Sequence, residues 1–169
     1  MFPKNITHRL FNFDIYIIVL IMLMPLVLIA TNNWQVLPSI SAYAVSEQPQ
    51  ILPIFLSILA TMFAVKDALS NNKFNIFLAI CLIGIAAFNM QDFKTLHFTF
   101  AALFFAGTTF KMVYKVPIHF RLKMYVAASL IVFGMLGHFI FKWYSLFWAE
   151  CIAFFPATFY YMSKYLVKK

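Results

Sequence analysis

FDIYIIVLIMLMPLVLIA, residues 13–30, decides how the rest of the chain is read. Its only charged side chain is Asp14, and apolar and polar positions do not alternate along it. Coiled as an α-helix at about 1.5 Å per residue, the stretch spans roughly 27 Å, close to the ~30 Å of a bilayer's hydrocarbon. An open strand would leave backbone amides unpaired in lipid, so a transmembrane helix is predicted. Lys4 and Arg9 precede it as a signal peptide's basic segment would. The apolar run is long for such a peptide and no clean small-x-small cleavage site follows, so it reads as a retained first helix.

Five further runs have the same character, at 51–69, 74–90, 95–114, 124–141 and 146–163. The expected fold is therefore all-α: one polytopic domain over residues 1–169, a bundle of six transmembrane helices. Composition agrees, with 64% hydrophobic and 11% charged residues, where soluble domains average about a quarter charged. The net charge of +8 comes from residues dispersed among the loops rather than gathered on one face. That argues against a nucleic-acid partner and for an anionic bilayer surface. Cys81 and Cys151 lie in apolar runs, without the spacing of a disulfide framework or metal motif, and read as buried packing residues.

Orientation follows from lysine and arginine placement. Eleven fall on one side of the six runs, in the N-terminal segment, the second and fourth connections and the C-terminal segment; only Lys94 and Lys142 fall on the other. Both termini are expected in the cytoplasm, with a bacterial inner membrane as the location. Trp34, Trp143 and Trp148 collect at the outer interface, and Tyr114, Tyr125, Tyr160, Tyr161 and Tyr165 at the inner one. The longest connection, TNNWQVLPSISAYAVSEQPQ at 31–50, is external and free of basic residues. Loops of that length usually carry function. The other connections are short, so neighbouring helices should run antiparallel.

Polar residues gather at that outer level: Ser39, Ser41, Tyr43 and Glu47 in the loop, Asp92 after the third run, His97 opening the fourth, His138 ending the fifth and Glu150 opening the sixth. Helical spacing puts His97 on a stripe with Ala101, Phe104 and Thr108, His138 on one with Ala127, Ile131 and Gly134, and Glu150 on one with Ala153 and Ala157. Small residues mark helix contacts in membranes, so these side chains are expected to face the bundle. His97, His138 and Glu150 together have the donor types of a zinc site, or of a proton relay, although their spacing matches no compact metal motif. At the inner side, Asp14 beside Arg9 and Asp67 beside Lys66 read as solvated pairs, and His119, in KVPIHFRLK (115–123), as a surface residue.

Three segments carry a resemblance: PSISAY (Pro38–Tyr43), LHFTFAALFF (Leu96–Phe105) and FWAE (Phe147–Glu150). The pattern resembles small bacterial membrane proteins of unknown function. It is distantly similar to the family of damage-regulated autophagy modulators and the GPI-anchor lipid-remodelling factor. That resemblance implies a six-helix bundle with both ends cytosolic, and Ser39, Ser41, Tyr43, His97 and Glu150 as shared positions.

The expected function is an outward-facing polar pocket for a lipid or other amphipathic molecule. Ser39 and Ser41 would contact the ligand, with Glu150 and His97 pairing across the pocket and Asp92 and His138 as additional candidates. No cofactor is expected on this reading. One alternative is a hydrolase of outer-leaflet lipids with zinc on His97, His138 and Glu150. Another is a small proton-coupled transporter or accessory subunit, which the apparent lack of buried polar groups at the inner side argues against.

Overall fold

The computed structural model describes the backbone of residues 4–70, 73–114 and 121–167, and the side chains of 13–69, 73–114 and 121–162. Lys4, Arg9, Lys115, His119, Lys164, Tyr165, Lys168 and Lys169 therefore lie outside the described side chains. Among the described residues the chain is all-helical: α1 (Lys4–Thr31), a 3-10 helix (Ile40–Val45), α2 (Ile51–Ser70), α3 (Phe74–Ala87), α4 (Lys94–Tyr114), α5 (Arg121–Phe139) and α6 (Leu146–Val167).

Four segments, Phe13–Thr31, Ile51–Leu69, Lys94–Tyr114 and Arg121–Phe139, are long and apolar enough to cross a membrane. They mark the chain as a membrane protein. Its outer surface agrees, since Leu122 and Phe133 are 76% and 70% exposed, as expected of side chains solvated by lipid rather than water.

Two helix ends differ from the sequence reading. α1 begins at Lys4 rather than Phe13, because hydropathy reports only the apolar part of a helix whose first turns are polar. α3 stops at Ala87, short of residue 90. Phe88 leaves the helix with ψ of 95°, and the Asn89 side chain accepts the amides of Gln91 and Asp92 at 3.0 and 2.8 Å. An asparagine that bonds nearby amides in this way competes with helix propagation.

Each helix packs on the next in sequence, and α6 closes the ring against α1 while also touching α4. The buried stripes keep a spacing of three and four residues: Ile17, Ile21, Met24 and Leu28 on α1, and Leu52, Leu56, Leu59 and Phe63 on α2. Close approach of α3 and α4 depends on Gly107, where a Cβ would lie 2.9 Å from side-chain carbons of both Leu78 and Phe77.

The 3-10 helix caps one end of the ring, packing on α1, α2 and α6. Ser39 is its N-cap and accepts the Ala42 amide at 3.0 Å. Tyr43 is 1% exposed; its hydroxyl donates to the Gln35 carbonyl at 2.9 Å and accepts the Leu37 amide at 3.2 Å. The Phe147 amide donates to the Pro38 carbonyl at 2.8 Å, fastening the loop to the start of α6.

Candidate functional site

At the capped end the loop brings Ser41 onto α4 and Ile40 onto α6. His97 is 1% exposed and both ring nitrogens are engaged: Nδ1 lies 2.8 Å from the Phe88 carbonyl oxygen, and Nε2 lies 2.7 Å from Ser41 Oγ. A carbonyl oxygen only accepts, so Nδ1 carries the proton, and in the neutral ring Nε2 accepts from the Ser41 hydroxyl. Glu150 Oε2 accepts the Ile40 amide at 2.6 Å. His97 and Glu150 thus bond to consecutive residues of one loop rather than to each other. The direct pairing expected from sequence is corrected on this point, because the loop takes up the space between the two helices.

The other candidates serve the architecture. Ser39 and Tyr43 hold the loop in its turn. Asp92 is exposed, with its carboxylate accepting from the Asn89 side-chain amide at 2.7 Å. His138 Nδ1 donates to the Tyr144 carbonyl at 2.8 Å, and the Tyr144 hydroxyl donates to the Gly134 carbonyl at 2.6 Å. His138 is therefore committed to the turn between α5 and α6. Among the described residues, no group of three His, Cys, Asp or Glu is placed to hold a metal ion, so His97, His138 and Glu150 are not gathered as a ligand set.

Two spaces meet at Glu150. One is a small cavity of about 30 Å³ among α1–α4, α6 and the loop, whose lining is apolar except for Ser41 and Glu150. It has room for water beside two polar partners. The other is an apolar groove of about 390 Å³ between α4, α5 and α6, lined by Phe98, Ala102, Met135, Phe139 and Leu146. Ala101, Phe105 and Glu150 border both spaces. A carboxylate therefore stands where an open apolar groove meets a small recess that holds one other polar side chain, Ser41.

The far end of the bundle holds polar groups that the sequence reading placed in solvent. Lys66 forms an ion pair with Asp14, their side chains only 9% and 13% exposed. Asp67, 2% exposed, accepts from the Asn75 side chain and from the Ile76 amide, the latter at 2.7 Å. Lys111, also 2% exposed, donates to Asn75 Oδ1 and, at 3.0 Å, to the Tyr161 hydroxyl. Lys66 Nζ sits 4.5 Å from the centre of the Tyr161 ring. Tyr160 and Tyr161 are fully buried, which removes them from the expected interfacial tyrosines. Trp34, Trp143, Trp148, Tyr114 and Tyr125 are exposed, as an interfacial role requires. One helical stripe on α4 carries His97, Phe104, Thr108 and Lys111, so the two polar clusters lie roughly 21 Å apart along it at 1.5 Å per residue.

A model for a family of unknown function, DUF7103, matches residues 23–165, and the chain belongs to that family. The match takes in Ser41, His97 and Glu150 as well as most of the far-end cluster, leaving out only Asp14. No curated protein and no solved structure matches the chain. The likeness to the damage-regulated autophagy modulators and the GPI-anchor remodelling factor gains no support from these comparisons.

Proposed function

We propose that all six α-helices cross the bilayer, that both termini are cytoplasmic, and that the capped end binds a membrane lipid. Of the eleven lysines and arginines on the terminal side, Lys66 and Lys111 are buried in the bundle, and the remaining nine still outnumber Lys94 and Lys142. α3, about 21 Å long over its 14 residues, spans with local thinning of the bilayer. A bacterial inner membrane fits this arrangement. Reporter fusions at residue 169 and within 31–50 test the orientation: activity of a periplasm-dependent reporter at the C-terminus would overturn it.

The observation that carries the lipid reading is the place of Glu150, at the junction of groove and recess. The groove matches an acyl chain, since its walls are apolar and its mouth opens on lipid. Glu150 and Ser41 match a headgroup or backbone donor such as a hydroxyl or amine, because a carboxylate accepts strongly charged or neutral donors. Native mass spectrometry of protein released from nanodiscs should detect a retained lipid. Ala102→Trp, which fills the groove, and Glu150→Gln, which removes the charge, should each reduce its occupancy. Unchanged occupancy in both variants would sink this reading.

A second reading is proton-coupled transport, favoured by the burial of Asp14, Lys66, Asp67 and Lys111 at the end opposite Glu150. It predicts proton flux in proteoliposomes that Asp67→Asn abolishes; absence of flux in the wild-type protein would dismiss it.

A further inference from the structure

The Ser41 hydroxyl meets a histidine already oriented to receive its proton. The Phe88 carbonyl holds Nδ1–H at 2.8 Å, and Nε2 points its lone pair at Ser41 Oγ, 2.7 Å away. A hydroxyl on a base whose other nitrogen is fixed by a third group is the arrangement of an activated nucleophile. Both residues are buried, so the hydrogen bond lies inside the bundle, with the recess on the Ser41 side. We infer that Ser41 is a nucleophile, with His97 as its general base, in acyl transfer from an ester-bearing membrane lipid. The identity of the substrate rests on the lipid-binding reading above; the dyad itself rests on the geometry.

The surroundings supply the remaining parts. An acyl chain in the groove lies along Ala101 and Phe105, which also wall the recess beside Ser41. Entry of the ester carbonyl requires the half-buried Phe105 ring to turn aside, because the recess alone is only about 30 Å³. Ser41 Oγ attacks the carbonyl carbon as its proton passes to His97 Nε2. The tetrahedral adduct collapses, the ester C–O bond breaks, and the departing alcohol oxygen takes that proton. Water then attacks the acyl-Ser41 ester, giving its proton to Nε2. Ser41 Oγ leaves with the proton and a carboxylic acid is released. Oxidation states do not change, and water is the sole co-reactant.

Glu150 is a positioning residue in this scheme, since it holds the Ile40 amide and with it the turn that carries Ser41. The amides on either side of Ser41 are engaged, Ile40 by Glu150 and Ala42 by Ser39. Neither neighbour is available to an oxyanion. Turnover is accordingly slow, and general-base assistance of about 10²–10⁴-fold is the main acceleration. A probe that leaves a stable covalent adduct reads the nucleophile independently of turnover and is the signal to seek.

The test is intact-mass analysis of the full-length protein in nanodiscs after treatment with a long-chain alkyl fluorophosphonate, followed by peptide mapping. A single adduct at Ser41 is expected. Ser41→Ala should abolish it, His97→Gln should slow it by about 100-fold or more, and Ser46→Ala, in the same loop but outside the site, should label like the wild type. Thermal melts establish that each variant is folded. A folded wild-type protein that gains no adduct on Ser41, or one labelled at the same rate in folded His97→Gln, overturns the proposal. Native mass spectra of the same samples separate the two readings. Retained lipid without an adduct removes the nucleophile and leaves lipid binding. An adduct without retained lipid supports the nucleophile and removes the lipid as substrate.

Discussion

Glu150 Oε2 accepts the amide of Ile40 at 2.6 Å, joining residues 110 positions apart in the chain. This bond ties the loop after α1 to the start of α6, and it separates the structural from the electrostatic role of the carboxylate. Glu150→Gln keeps an acceptor for the amide, whereas Glu150→Ala leaves it unmet at a cost of about 1–3 kcal/mol. The Ala variant should melt at a lower temperature in detergent and be cut faster by protease within residues 31–50. The Gln variant should stay close to wild type in both assays. Equal losses in the two would mean that the charge, not the acceptor, holds the loop.

Tyr43 offers a second test of the cap. Tyr43→Phe keeps the ring beside Phe147, with centroids 6.1 Å apart, but removes the hydroxyl that bridges Gln35 and Leu37. A loss of about 1–2 kcal/mol is expected, as for a buried amide deprived of its partner. Hydrogen exchange at the Leu37 amide should accelerate while exchange in the middle of α2 is unchanged. Unaltered exchange at Leu37 would show that the hydroxyl is dispensable.

At the far end, Lys66→Met removes the ion-pair partner of the largely buried Asp14, and breaking a buried pair in this way costs about 3–5 kcal/mol. The double change Asp14→Asn with Lys66→Met leaves no lone charge and should cost less than Lys66→Met alone. Unfolding by titration with sodium dodecyl sulfate measures both. A double variant that loses as much as Lys66→Met, or more, would show that the two side chains act independently.

Gly107→Val should force α3 from α4, since its branched carbons meet Leu78 and Phe77 at a distance too short even for a Cβ. Overpacking of this kind costs about 1–3 kcal/mol. Cys81, on α3 and 1% exposed, should then react faster with a maleimide. A variant with wild-type stability and an inert Cys81 would mean that the contact is absorbed by rotamer changes alone.

The helices were legible in the sequence because lipid demands long apolar runs, and hydropathy reads those directly. Ser41, His97 and Glu150 were legible as polar residues at one level, but their connections were not. A 20-residue loop folds back by its own turn chemistry, and Pro38 to Tyr43 came to rest between two residues expected to touch. The far-end cluster was missed for a different reason. A lysine near a helix end reads the same whether it reaches out to water or turns inward. Helix phase held the answer: His97, Phe104 and Thr108 define a stripe whose next step is Lys111, and Leu59 and Phe63 lead in the same way to Lys66. Extending the two stripes, one turn past Phe63 and one turn past Thr108, would have found both lysines.

The order in which the far-end residues occur in the chain bears on how the protein is made. Asp14 and Lys66 belong to the first two helices, Asp67 and Asn75 to the second and third, and Asn75 and Lys111 to the third and fourth. A nascent chain leaving an insertion machine can therefore match each polar group with one on the preceding helix before the next helix emerges. The contacts with Tyr160 and Tyr161 wait for the last segment. Pairing of this kind gives each buried lysine or aspartate a polar partner on a neighbouring helix in chain order. A chain halted between α1 and α2 would leave Asp14 without Lys66, its ion-pair partner.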